Sequence, residues 1–216
     1  MLALGIALAF SAAALADEKP YFLVATPDLS DPVFGHSVVL MLPPAQPPEL
    51  VVGLIVNKPT DVEVKRLFPK AGTLKGVADD AFLGGPVEPA VASIVMRGNG
   101  APSNVAHLLD DLYLVTDAEL VNGLLQNPKP GDDMRLIMGR AQWTRDQLRA
   151  EIAEGSWYTV PANVDSVFSS DPTKVWKAMV DRAQLLEVDG PPLPGDFTLL
   201  RSSFDQVPRG GNPAAR

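Results

Sequence analysis

Leu50-Val51-Val52-Gly53-Leu54-Ile55-Val56 contains no polar side chain, and it stops abruptly at Asn57-Lys58-Pro59. A strand with one wet face alternates apolar and polar residues; this one does not, so both of its faces must be covered. It therefore belongs in the middle of a sheet that has helices or further sheet packed around it. Ser37-Val38-Val39-Leu40-Met41-Leu42 reads the same way, and Pro43-Pro44-Ala45-Gln46-Pro47-Pro48 between the two predicts a stiff, extended linker. Two central strands in succession set the frame for the rest of the chain.

Working outward, Tyr21 to Ala25 predicts a first strand closed by Thr26-Pro27, and Asp31-Pro32 predicts a single helical turn over Val33 to Gly35. Further strands are expected at Ala81 to Leu83, Ala92 to Arg97, Leu112 to Val115, Arg135 to Met138 and Trp157 to Val160. Three helix starts share one pattern, Thr60-Asp61-Val62-Glu63, Thr116-Asp117-Ala118-Glu119 and Thr144-Arg145-Asp146-Gln147. In each, the threonine hydroxyl would accept an amide hydrogen bond while the residue three positions on reaches back. Trp143 and Leu148 flank the third as a hydrophobic staple, with Gly155 ending that helix; Asn127-Pro128 ends the second. A fourth helix is expected from Asp171-Pro172 to about Leu186, with Val175, Trp176, Met179, Val180 and Ala183 in one apolar stripe. Strands and helices alternate without a steady βαβ rhythm, which favours an α+β fold over a doubly wound sheet.

The 216 residues suit one domain, and 46% hydrophobic against 20% charged residues is a globular composition. Twenty-one prolines favour short elements joined by rigid turns. Asp and Glu outnumber Lys and Arg by 26 to 18, and the basic residues are scattered, so the charge needed to displace counterions from a duplex is missing. Direct nucleic-acid binding is not expected. Leu2 to Leu15 is an uncharged apolar run ending in Ala14-Leu15-Ala16, shorter than the roughly 20 residues that span a bilayer. Residues 1–16 accordingly read as a signal peptide cleaved after Ala16, which would place the mature chain in the periplasm or outside the cell; an uncleaved leader would leave it in the cytoplasm. The chain has no cysteine, so disulfides and thiol chemistry are excluded. Residues 187–216, rich in proline and glycine, are expected to form a mobile tail.

Three strings, in this order, closely resemble the AlgH/YqgE family of bacterial proteins. They are F-L-V-A-T-P-x-L-x-D-P-x-F-x-x-S-V-V from Phe22 to Val39, Gly53-Leu54-Ile55-Val56-Asn57-Lys58-Pro59, and Phe82-Leu83-Gly84-Gly85-Pro86-Val87-Glu88. A fourth, Leu136 to Leu148, resembles the family's G-Y-A-G-W-x-x-G-Q-L segment with three departures: Arg140 replaces an aromatic, and Gln142 and Asp146 replace glycines. The resemblance reaches from about Tyr21 to Asp181. It implies a single α+β domain, 17–186, with a central sheet curled into a small barrel and surrounded by short helices. Members are labelled either as uncharacterised or as transcriptional regulators, neither label being a mechanism, and the resemblance implies no ligand, cofactor or reaction. Ordinary members begin close to the first motif, so the leader is itself a departure.

No catalytic residue, metal set or cofactor is nominated from the residues. His36 and His107 lie far apart with no metal-ligand spacing, and Ser37 beside His36 would point to the opposite face of a strand. Gly84-Gly85 follows a strand and would expose amides to an anion, or else form a tight turn; no P-loop continues it. Asn57 and Lys58 stand at a strand's C-terminal end, where ligands collect in open sheets, or else satisfy a turn. Trp143 would stack on a ligand or serve as the staple. The weak ligand-binding set is therefore Asp31, Asn57, Lys58, Gly84, Gly85 and Trp143, with Asp31 as an orienting acid. The expectation is a non-enzymatic domain of the cell envelope that binds a small ligand or a protein partner. The alternatives are a cytosolic transcriptional regulator acting through a partner, and a hydrolase.

Overall fold

The computed structural model describes residues 20–43, 50–71, 79–98, 105–128 and 133–189. The expected leader, the prolines from 44 to 48 and the tail beyond 189 lie outside them. The two apolar runs form β2 (Val38–Met41) and β3 (Leu50–Ile55), and neither is at an edge. β1 (Tyr21–Ala25) lies beside β2, and β9 (Asp133–Thr144) lies beside β3. With β6 (Val87–Arg97), β7 (Ala106–Leu109), β8 (Leu112–Val115) and β10 (Trp157–Pro161) the order is β10-β1-β2-β3-β9-β6-β8-β7. All of these neighbours are antiparallel. The sheet curls strongly into a half-barrel. β4 (Pro59–Glu63) and β5 (Asp80–Leu83) pair off the main path, and β5 joins β9 in parallel.

Alternate residues of the central strands serve different cores, which is why no polar residue interrupts them. Phe22, Val24, Val38, Leu40 and Leu54 face a core closed by α5 (Pro172–Asp189) through Val175, Met179, Val180 and Ala183. Leu23, Ala25, Val39, Met41 and Ile55 face the other way, against Trp143, Trp157 and Leu148 of α3 (Arg145–Ala153). A third cluster joins Ile94, Met96, Met134 and Leu136 to Val121, Leu124 and Leu125 of α2 (Ala118–Gln126).

Two of the three expected capping boxes need correction. Thr60 caps no helix: its hydroxyl accepts from Val62 N at 3.2 Å but donates to Ala81 O at 2.7 Å across β4 and β5, and the β-branched Thr60 and Val62 lie in extended backbone. The helix waits until α1 (Val64–Leu67), a single turn with no side-chain cap. At the second box Asp117, not Thr116, is the cap, accepting from Glu119 N and Leu120 N at 3.0 and 2.9 Å. Its carboxylate satisfies two amides where a hydroxyl would meet one, and it carries charge complementary to the helix dipole. At the third, Thr144 accepts from Gln147 N at 3.2 Å as expected, while the Gln147 side chain donates forward to Glu151 Oε1 at 2.9 Å. β9 is three times the expected length because the chain continues through Gly139 at φ +73° instead of turning there. β7 and α4 (Val164–Val167) carry too few residues to show a period.

Candidate functional site

Asp31, Asn57 and Lys58 are brought together on one loop, the segment from Asp31 to Ser37. Asp31 Oδ1 accepts from Val33 N at 2.8 Å and Phe34 N at 2.7 Å, and Gly35 N returns to Asp31 O, closing the expected turn. Asn57, only 6% exposed, accepts from Val38 N at 2.7 Å and donates to His36 O at 3.0 Å. Lys58 Nζ donates to Val33 O at 2.6 Å. Burial pushes the Lys58 ammonium below the ordinary lysine range, with the nearby Asp31 carboxylate pulling the other way. His36, at φ +58°, packs its ring 4.0 Å from Trp176, whose indole donates to Ala25 O.

Gly84 and Gly85 lie where two backbones cross. A Cβ on Gly85 would fall 2.3 Å from the carbonyl carbon of Arg140, and one on Gly139 would fall 2.5 Å from Gly85 O. Gly84 N donates to Met138 O at 2.8 Å, so that amide is engaged by the sheet. Trp143 is buried beside Phe34 and Trp157, with ring centroids 5.4 and 5.9 Å away. Both indoles donate to Glu151 Oε2, at 3.0 and 2.9 Å. The six nominated residues are neighbours through the backbone, with Gly84 O accepting from Ile55 N and Phe34 of the loop packing on Trp143. They enclose no common pocket, and none of them lines the larger cavity.

That cavity, about 490 Å³, opens from the α5-covered core of the half-barrel, with which it shares Leu54, Leu108 and Leu114. Leu50 and Val52 of β3 continue its apolar wall. Its polar end is Arg140, Gln142 and Glu88. Arg140 Nη1 pairs with the Glu88 carboxylate, while Nε and Nη2 share Gln142 Oε1 at 3.4 and 3.3 Å. One rim is a long bulge: Val87 pairs with Arg140 and Ala92 with Met138, so residues 88–91 stand against Gly139 alone. Glu88 there takes φ +49°, and Val91 is 51% exposed. Backbone strain at a cavity rim is retained only where the surroundings enforce it.

A second, shallower depression of about 450 Å³ is lined by Arg135, Phe82 and Phe168 together with Asp79, Asp80 and Asp133. Arg135 is 5% exposed, donates to Val56 O at 3.0 Å and Ser169 O at 2.6 Å, and lies 4.5 Å over the Phe82 ring. Burial pushes its guanidinium down to about 10, against the pull of Asp133, which leaves it charged at neutral pH. Among the described residues no group of three His, Asp or Glu side chains is placed to hold a metal ion, and no helix is long and apolar enough to cross a membrane.

Sequence reasoning nominated neither Arg140 and Gln142 nor Glu88. The usable signal was local: Ala141 and Trp143 are buried, so on a strand Arg140 and Gln142 must share the opposite face. These are also two of the three positions at which the fourth motif departs from the family pattern.

Fold and site together define an α+β half-barrel with a ligand-sized apolar cavity charged at one end. The chain belongs to the AlgH-like family, whose model matches residues 22–186. It is 34% identical over 173 residues to a UPF0301 protein of Thermobifida fusca, covering 74% of this chain and 84% of that one. A UPF0301 protein of Myxococcus xanthus is 33% identical over 162 residues, 73% and 86% of the two chains. Two solved structures share the fold. The AlgH protein of Pseudomonas aeruginosa matches with a TM-score of 0.60 at 20% identity, covering 82% of this chain and 95% of its own. A protein of Corynebacterium diphtheriae matches with a TM-score of 0.61 at 24% identity, over 84% and 90%.

Proposed function

We propose that this chain is a non-enzymatic binding protein of the cell envelope that holds a small, mainly apolar ligand in the half-barrel cavity. The observation that carries the reading is the cavity itself. Ligand pockets run from roughly 300 to 1,000 Å³ and are walled mainly by apolar side chains with a few convergent polar groups. Leucine and valine surface left open to water forgoes about 25 cal/mol per Å², which a ligand of matching shape would recover. The cavity's one carboxylate, Glu88, is paired with Arg140, an arrangement suited to orienting a ligand more than to moving protons. The envelope location is supported by the apolar Leu2–Leu15 run and the Ala14-Leu15-Ala16 string. The acidic charge balance argues against direct contact with DNA, so a regulatory role would pass through a partner.

The test uses N-phenyl-1-naphthylamine, a neutral apolar dye. Its fluorescence should rise saturably on mixing with the protein, and the melting temperature should rise with dye concentration by mass action on the folded state. Val52→Trp, which fills the cavity from its wall, should abolish both effects while the circular dichroism spectrum is kept. Dye binding that survives Val52→Trp, or no binding at all, would remove the cavity as the site.

A further inference from the structure

The polar end of the cavity says more about the ligand than its walls do. Arg140 is held from one side by Glu88, which fixes the plane of the guanidinium. Its other edge, Nε and Nη2, presents two parallel donors to the single amide oxygen of Gln142 at 3.4 and 3.3 Å. That is the long end of hydrogen bonding, with one neutral acceptor divided between two donors. A carboxylate would instead offer two charged oxygens in the matching fork geometry, at about 2.7–2.9 Å. From this edge the cavity runs along mainly apolar surface, Leu50, Val52, Leu108 and Leu114, with Ser93 and Thr116 also on its wall.

Resting on the cavity reading, we infer that the ligand is an apolar monocarboxylate. Its carboxylate displaces Gln142 from the Nε–Nη2 edge of Arg140, and its hydrocarbon lies along β3 and β7–β8. A single negative charge fits better than a phosphate dianion. The site holds one cation, already shared with Glu88, and that carboxylate repels a second anion. The Glu88 pair therefore tunes affinity downward while it aims the guanidinium.

The experiment compares decanoate with decanol, which share a chain and differ in the head group, by isothermal titration on the full chain. Wild type should bind decanoate on the order of tenfold more tightly than decanol, the worth of a charge-assisted bond over a neutral one. Arg140→Gln should bring decanoate down to about the decanol level while weakening decanol much less. Arg140→Lys, which keeps the charge and loses the fork, should fall between. Glu88→Gln should tighten decanoate several-fold. Equal binding of the two ligands by wild type, or an Arg140→Gln effect of the same size on both, would overturn the carboxylate assignment and leave the cavity reading standing. Decanoate weakened by Glu88→Gln would also overturn it. Failure of decanoate, decanol and the neutral dye alike would bring down both readings.

Discussion

Asn57, 6% exposed, bonds backbone groups on either side of the His36–Ser37 corner, Val38 N in the interior and His36 O nearer the surface. Its amide places an acceptor for Val38 N and a separate donor for His36 O at the two ends of one planar group. Asn57→Ala should therefore leave the buried Val38 amide unpaired and lower stability by about 1–3 kcal/mol. The check is the urea midpoint, which should fall at unchanged slope; a shift below half a kcal/mol would show that the loop holds itself. Arg135 performs a comparable task with a charge. Among the described residues no carboxylate pairs with it, and its donors are taken up by Val56 O and Ser169 O, tying β9 to the end of β3 and to the approach of α5. Asn57 lay in a family string and Arg135 at the start of an expected strand, yet their partners sit 19 to 79 positions away, beyond any reading of spacing.

At the scale of elements, the crossing of β9 over the β5–β6 connection shapes the cavity rim. Gly139 combines φ +73° with a Cβ position 2.5 Å from Gly85 O, so Gly139→Ala meets both a strained backbone and a hard contact with backbone. It should cost at least about 2 kcal/mol. Gly123 is the internal control: it lies exposed within α2, and a Cβ there would meet nothing within 4 Å. Gly123→Ala should stabilise by roughly 0.5–1 kcal/mol, since it removes only the excess entropy of the unfolded chain. Melting temperatures moving in opposite directions would confirm the pair, and a neutral Gly139→Ala would show that the crossing relaxes. The same elements mark how far the sequence could be read. Unbroken apolar runs identified β2 and β3, and the Trp143–Thr144–Leu148 pattern identified the start of α3. The Thr60 pattern misled because helix caps and strands both favour threonine, and pairing with β5 decided between them. The cavity was invisible because it depends on which strands become neighbours. Val52 and Gln142 share a wall only after β3 pairs with β9, and Glu88 reaches Arg140 only through a bulge that no local period announces.

For the whole molecule, the four family strings brace one another. The first and second meet through Asn57 and Lys58 on the Asp31–Ser37 loop, and the third and fourth meet at Gly85 and Gly139. The second also reaches the third through Ile55 N to Gly84 O, and the fourth through the pairing of Gly53 with Ala141. Much of what makes the family recognisable is thus internal bracing of the half-barrel. The same strings also supply Leu54, Glu88, Arg140 and Gln142 to the cavity lining. What separates the envelope reading from the cytosolic regulator is consequently not in the folded domain but in residues 1–16. They carry no side-chain charge, so the mature chain would keep the net charge of −8, and removing them deletes nothing from the described fold. The two forms differ by a mass that a spectrometer resolves easily. Cells of the native host, fractionated and probed by intact mass and N-terminal sequencing, should yield a periplasmic chain beginning at Asp17. A chain beginning at Met1 in the cytosolic fraction would sink the envelope assignment and make cytosolic metabolites the place to look for a ligand. In either compartment the dye and decanoate titrations would still report on the cavity, because compartment and ligand chemistry are set by different parts of the chain.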